Sequence, residues 1–180
     1  MSAVSEEMVL QVGQKVSGFA AQALLADGSF KEVKLADYKD KWLVIFFYPL
    51  DFTFVCPTEI QSFNKNYAEF KKLGTEVIAA STDSVYSHKA WVDNGLGKIQ
   101  FPILGDTNHK VARTFNVLLE DKGIALRGTF IIDPNGVLKS ALVNDLPVGR
   151  SVEETLRTLQ ALQTGKLTGC DWKPGQKTLN

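Results

Sequence analysis

Cysteine is scarce in this chain, charge is balanced, and no apolar run approaches the length of a membrane span. Each lack closes off a class of function. Only two cysteines, Cys56 and Cys170, occur in 180 residues, too few for the bridged framework of a small secreted scaffold. No Cys-x-x-Cys pair exists, and the two histidines, His88 and His109, stand apart, so no zinc-ligand pattern is present and no metal or cofactor is expected. Twenty basic and twenty acidic side chains cancel, leaving no basic field to attract nucleic acid or an acidic membrane surface. Residues Met1 to Glu7 carry no basic stretch ahead of an apolar one, so a secretion signal is not expected and a cytoplasmic protein is.

What is present is ordinary globular material with one unusual stretch. Hydrophobic residues make up 44% and charged residues 22%, which suits a single domain with a sizeable core. The apolar run Trp42 to Tyr48 reads as a buried strand. After it comes Pro49-Leu50-Asp51-Phe52-Thr53-Phe54-Val55-Cys56-Pro57-Thr58-Glu59, and then Ile60, Phe63, Tyr67 and Phe70 at helical spacing. Proline is tolerated in a helix only in its first turn, so Cys56 is expected at or next to the N-cap. Helix-start N–H groups and the positive dipole end favour a thiolate over a thiol. Two inert core thiols are the bland alternative, but Cys170 lies among Gly169, Asp171, Lys173, Pro174 and Gly175, poor core material. A catalytic redox pair is the better reading.

The rest of the chain alternates strand and helix. Phe19 to Leu25 and Phe30 to Leu35 flank Asp27-Gly28, a hairpin signal. The Cys56 helix is predicted to run to about Gly74. Then follow a strand over Glu76 to Ser81, a helix over Ser84 to Asn94, a strand over Phe101 to Leu104 and a helix over Thr107 to Phe115. A second hairpin brackets Pro134-Asn135-Gly136, and Ser151-Val152-Glu153-Glu154 is a capping box opening a last helix that Gly165 ends. This pattern predicts an α/β layered domain with a central mixed sheet flanked by helices. The N-terminal hairpin belongs to a domain over residues 1–165, and a polar tail over residues 166–180 carries Cys170.

The stretch ending in Phe52-Thr53-Phe54-Val55-Cys56-Pro57-Thr58-Glu59 resembles the active-site signature of peroxiredoxins, specifically the typical two-cysteine class that includes bacterial alkyl hydroperoxide reductase peroxidase subunits. The likeness continues through Ser81-Thr82-Asp83, His88 to Trp91, Gly105-Asp106, Arg127 to Asp133 and Val148 to Ser151, and ends at Cys170. It implies a thioredoxin-like fold and a thiol-dependent peroxidase for hydrogen peroxide and organic hydroperoxides, serving antioxidant defence and redox homeostasis.

Roles follow from the resemblance, residue by residue. Cys56 matches the peroxidatic cysteine, which becomes a sulfenic acid. Thr53 matches a pocket threonine, Pro49 a proline shielding the sulfur from water, and Arg127 an arginine beside the thiolate. Glu59 matches a residue orienting that arginine, Arg150 a second arginine, and Trp91 an aromatic lining the pocket. Taken alone, each has a plainer explanation: a turn, a strand end, a surface charge, a first-turn acid or core packing. Cys170 matches the resolving cysteine, whose disulfide in this class joins two subunits. The implied assembly is an antiparallel homodimer, extended to a ring of five dimers, with Phe52 and Val85 to His88 as candidate dimer–dimer contacts. The implied reductant is a thioredoxin-like protein or a dedicated flavoprotein.

A magnitude limits what ionisation alone contributes. For any thiol, a pKa falling from about 8.5 to about 6 raises the thiolate fraction at pH 7 roughly 30-fold. A Brønsted slope of ~0.4–0.5 returns roughly tenfold of that. Most of the acceleration is therefore expected from polarising and positioning the O–O bond, work for Thr53, Arg127 and the helix-start N–H groups. Two further expectations concern what the class varies. Peroxide-sensitive members share a Gly-Gly-Leu-Gly loop and a Tyr-Phe tail helix. Here the loop reads Asn94-Gly95-Leu96-Gly97 and the sequence after Cys170 has no Tyr-Phe pair, so resistance to overoxidation is expected. A thioredoxin-like electron carrier is the alternative class, disfavoured by the missing Cys-x-x-Cys; a chaperone ring would be compatible with peroxidase activity.

Overall fold

A seven-stranded mixed sheet with helices on both faces is the frame of the computed structural model, which describes residues 9–179. Its strands are β1 (Ala20–Leu24), β2 (Phe30–Lys34), β3 (Trp42–Phe47), β4 (Thr75–Ser81), β5 (Ile103–Gly105), β8 (Arg127–Ile132) and β9 (Leu138–Asn144). The spatial order is β2-β1-β5-β4-β3-β8-β9. β3, β4 and β5 run parallel; β8 is antiparallel to β3 and β1 antiparallel to β5. The expected β1–β2 hairpin forms, with Ala20 opposite Lys34 and Leu24 opposite Phe30, and it extends the main sheet.

β3 shows why its sequence is apolar without alternation. Leu43, Ile45 and Phe47 enter a core with Ile78, Ala80, Phe130, Val111 and Phe115, which α4 (Lys110–Thr114) helps to close. Val44, Phe46 and Tyr48 enter the opposite core with Ile60, Phe63, Phe70, Trp91 and Leu159. Those partners come from α1 (Cys56–Lys65), α2 (Tyr67–Lys72), α3 (Val85–Trp91) and α5 (Val152–Gln163). A strand covered on both faces needs apolar residues at every position. Phe46 stacks on Phe63 with ring centroids 4.0 Å apart, so α1 is docked directly over the strand that precedes it.

Several boundaries differ from the predicted ones. The helix expected from Cys56 to about Gly74 is interrupted at Asn66, whose side-chain amide donates to the Ser62 carbonyl at 2.9 Å and whose ψ is 5°. An asparagine that bonds the preceding turn competes with helix continuation. α3 ends at Trp91 and passes into a wider helical turn over Val92–Leu96, where Gly95 takes φ +155°. A two-strand ribbon, β6 (Leu118–Leu119) and β7 (Ile124–Ala125), has no counterpart in the sequence reading, because two-residue strands leave too few positions for any period to show. Ser151 caps α5 by accepting from the Glu154 amide at 3.1 Å, while the Glu154 carboxylate turns to Arg157, so only half of the capping box forms. The tail is not uniformly polar in its environment, since Trp172 is buried. Among the described residues no helix is long and apolar enough to cross a membrane.

Candidate active site

The carboxyl end of β3 delivers the chain through buried Tyr48 and Pro49 into the loop that leads to α1. Val55 is the N-cap, Cys56 opens the helix and Pro57 lies in its first turn, as the placement of that proline required. Cys56 is completely buried in the core it shares with Val44, Phe46, Tyr48 and Ile60.

Its polar partner comes from across the sheet. Arg127, the first residue of β8, points Nη1 at the Cys56 sulfur at 3.4 Å. The same nitrogen donates to Glu59 Oε2 at 2.6 Å, and Arg127 Nε donates to the Leu146 carbonyl at 2.5 Å. Glu59 lies one turn into α1, so its carboxylate reaches the guanidinium from below the sulfur. Arg150 then clamps Glu59 from the loop before α5: Nε to Oε1 and Nη2 to Oε2, each at 2.9 Å, with its own backbone N–H to Oε1 at 3.1 Å. Arg150 Nη1 donates to the Gly128 carbonyl at 2.7 Å, and the guanidinium lies 5.3 Å from the Phe46 ring centre. All three charged side chains are buried. Gly128, the residue after Arg127, is required by packing: a Cβ there would sit 2.6 Å from the Phe130 ring and 2.8 Å from the Val117 side chain.

The charge count of this cluster is its chemical message. Two guanidiniums share one carboxylate, which leaves one positive charge unmatched in a buried site. Burial is the main influence pushing the Arg150 pKa below its ordinary value; the Glu59 carboxylate opposes that and the Arg127 charge adds to it. An anion at the Cys56 sulfur would complete the balance, and it already sits within reach of Arg127 Nη1.

The remaining candidate residues fall around this centre. Pro49 is buried. Thr53 is half-buried, and its hydroxyl donates to the Leu50 carbonyl at 3.0 Å. Trp91 is buried, with ring centroids 6.1 Å from Tyr48 and 5.8 Å from Phe52. Cys170 is free and exposed in the tail, apart from the buried cluster. That tail is tied to α5 by Arg157 Nη1 donating to the Trp172 carbonyl at 3.0 Å, and within the tail Trp172 Nε1 donates to the Gln176 carbonyl at 3.1 Å. The structure thus gathers Cys56, Glu59, Arg127 and Arg150 into one bonded cluster and leaves Cys170 outside it.

Sequence reasoning missed a second buried polar group beside the first. Tyr48 Oη donates to Asp51 Oδ1 at 2.8 Å, and His88 Nδ1 lies 2.8 Å from Asp51 Oδ2. His88 Nε2 faces the Leu104 carbonyl at 3.0 Å, and the Asp51 amide donates to Asp83 Oδ2 at 3.0 Å. Burial, with the neighbouring Asp51 carboxylate adding to it, raises the Tyr48 phenol well above its ordinary pKa, so it remains a donor. The only trace of this in the sequence was a histidine three residues before Trp91 on the inward side of a predicted helix.

Fold and site together define a thioredoxin-like protein with a buried, cation-flanked cysteine at a helix start. The chain belongs to the AhpC/TSA family, whose model matches residues 12–141. It is 52% identical over 177 residues to "Peroxiredoxin prdx-2" of Caenorhabditis elegans, covering 93% of this chain and 88% of that one. It is 49% identical over 180 residues to "Thioredoxin peroxidase" of Echinococcus granulosus, covering 95% and 93%. The reduced two-cysteine peroxiredoxin of Plasmodium vivax superposes with a TM-score of 0.90 at 38% identity, covering 92% and 91%. The protein is a thiol-dependent peroxidase.

Proposed function

We propose that Cys56 is the peroxidatic thiol and that Glu59, Arg127 and Arg150 form its electrostatic support. The single observation carrying this is the contact of Arg127 Nη1 with the Cys56 sulfur inside a buried cluster with one unmatched positive charge. The thiolate attacks the terminal oxygen of the peroxide. The S–O bond forms as the O–O bond breaks, sulfur is oxidised to sulfenic acid, and the departing alkoxide or hydroxide takes a proton and leaves as alcohol or water. Arg127 stabilises the negative charge that moves onto the oxygens, and Glu59, held by Arg150, fixes the direction of that guanidinium. The Thr53 hydroxyl proton is committed to the Leu50 carbonyl, so its lone pairs are free to accept the O–H of the incoming peroxide. Pro49 keeps bulk water off the sulfur, and Trp91 backs the loop that carries Thr53.

Cys170 completes the cycle by attacking the sulfenic sulfur, expelling water and forming a disulfide. Disulfide geometry needs Cα atoms about 4.4–6.8 Å apart. A buried Cys56 in the first turn of α1 meets that only after Phe54 to Pro57 unwind and the 166–180 tail loosens. We assign the bridge to a partner subunit in an antiparallel homodimer. The exposed Leu142 and Val143 on edge strand β9 suit the dimer contact. For a ring of five dimers, Phe52 and Tyr86 are the exposed candidates; Val85 and His88, included in the predicted contact, are buried and do not present a surface. A cytoplasmic location agrees with a cycle that returns to free thiols by reduction, and the reductant is a thioredoxin-type protein in preference to a dedicated flavoprotein. Peroxide consumption with each donor in parallel tests this: Cys56→Ser should abolish turnover with either, and turnover with the flavoprotein alone would replace the thioredoxin assignment.

A further inference from the structure

The loop between β3 and α1 holds an arrangement that local sequence does not favour. Phe52, a bulky residue, has φ +57°, in the left-handed region that such residues avoid. Phe54, two residues on, is almost fully exposed, and Phe52 is itself largely exposed with one tilted ring contact to Trp91 at 5.8 Å, so apolar packing is only a small part of what holds the loop. The residue beside Phe52 is instead held from three directions. The Asp51 amide donates to Asp83 Oδ2, its Oδ1 accepts from Tyr48, and its Oδ2 faces His88 Nδ1. Asp83 is in turn fixed by Ser81 Oγ, which donates to the same Oδ2 at 2.7 Å. His88 is completely buried and Asp51 nearly so. His88 Nδ1 lies 2.8 Å from Asp51 Oδ2 and 3.3 Å from Tyr48 Oη, and Nε2 lies 3.0 Å from the Leu104 carbonyl. His88 therefore ties α3 and β5 to a single loop residue.

That residue sits between the two ends of the Thr53 hydrogen bond. Leu50, whose carbonyl receives the Thr53 hydroxyl, immediately precedes Asp51, and Phe52 separates Asp51 from Thr53. Rotation of Asp51 would move the Leu50 carbonyl and relax Phe52 together, and Thr53 would lose the partner that orients its lone pairs. We propose that His88 and Asp51 are a buried positioning pair that sets the peroxide-binding shape of the Pro49–Thr53 loop, acting through Thr53 without touching the substrate. This deepens the proposed function and rests on its assignment of Cys56 and Thr53.

The test uses full-length protein and two reactions of Cys56: oxidation by hydrogen peroxide and alkylation by neutral iodoacetamide, both followed by rapid mixing. His88→Leu is expected to slow peroxide oxidation by ~10-fold or more, as loss of positioning does, while alkylation stays within about threefold because it does not need Thr53. Asp51→Asn, a milder change, should show the same split to a lesser degree and serves if His88→Leu does not fold by melting. Thr53→Val combined with either variant should be no slower than Thr53→Val alone, since one acts through the other. Equal losses in both reactions, multiplying losses in the double variants, or an unchanged peroxide rate in a folded single variant would each overturn the pair's role. Fast peroxide reduction by Cys56→Ser would instead overturn the underlying site assignment, so the two failures are distinguishable.

Discussion

Cys56 and Cys170 occupy opposite physical settings. The first is fully buried, bonded to Arg127, and backed by a carboxylate that itself has two cationic partners. The second is exposed in a tail held to the domain by the buried Trp172 ring and by the hydrogen bond from Arg157 to the Trp172 carbonyl. The contrast follows from what each thiol is proposed to do. Breaking an O–O bond rewards dipoles already aimed at the developing charge, and a buried charged network supplies them without reorganisation. Meeting a second sulfur in disulfide geometry requires movement, and releasing an exposed tail thiol disturbs less packing than releasing a buried one.

Exchanging the thiols for hydroxyls is the largest test of the contrast. Cys56→Ser should lose rapid peroxide reduction altogether, whereas Cys170→Ser should keep the first oxidation and lose the peroxide-induced dimer on non-reducing gels. A monomer with an intrachain bridge, identified by mass spectrometry, would refute the intersubunit arrangement. Next in size is Arg127→Ala. Removing a donor aimed at a developing charge costs about 10²–10³ in rate, so peroxide reduction should fall by roughly that factor while alkylation of Cys56 by a neutral reagent falls far less. Equal losses would show that ionising the thiol was the arginine's main task.

Glu59→Gln sharpens the same comparison through stability. It removes the one carboxylate that two buried guanidiniums share, and breaking such a network costs about 3–5 kcal/mol. At roughly 2–4 °C per kcal/mol for a protein of this size, the melting temperature should drop by about 6–20 °C. Trp172→Ala, at the tail, should leave the peroxide step unchanged and speed tail cleavage in limited proteolysis, because it frees the tail without touching the sheet. The smallest effect belongs to Glu154. Its carboxyl is held below the usual range chiefly by its hydrogen bond to Arg157. A lowered folded pKa contributes stability above the unfolded value and loses it as pH falls through the folded one. For so exposed a pair the contribution is about 0.2–1 kcal/mol, so a Glu154→Gln difference in melting at pH 7 should shrink once pH falls below the unfolded carboxyl value of about 4.3 and be lost only below the lower folded one.

Much of this protein was readable from residue order because local rules and tertiary structure agree. The apolar run of β3, Pro57 just after Cys56, Ser151 before α5 and Gly165 after it each act within one or two turns, and each appears where expected. The family likeness then connected Cys56 to Arg127, Glu59 and Arg150. The break at Asn66 and the short β6–β7 ribbon were invisible because one side-chain hydrogen bond and two-residue strands leave no periodic trace. The buried Tyr48–Asp51–His88 group was invisible for another reason: its histidine lies 37 and 40 positions along the chain from Asp51 and Tyr48, and each member looks ordinary by itself.

The sequence by itself determined the helix start at Cys56, the doubly covered central strand and the class of chemistry, since these follow from propensity, period and a dense local motif. Only the tertiary structure decided the charge state that surrounds the sulfur. The single unmatched cation exists because β8 brings Arg127 and the loop before α5 brings Arg150 onto one carboxylate, Glu59. Net charge in a buried site is a sum over neighbours in space, and chain order does not contain that sum.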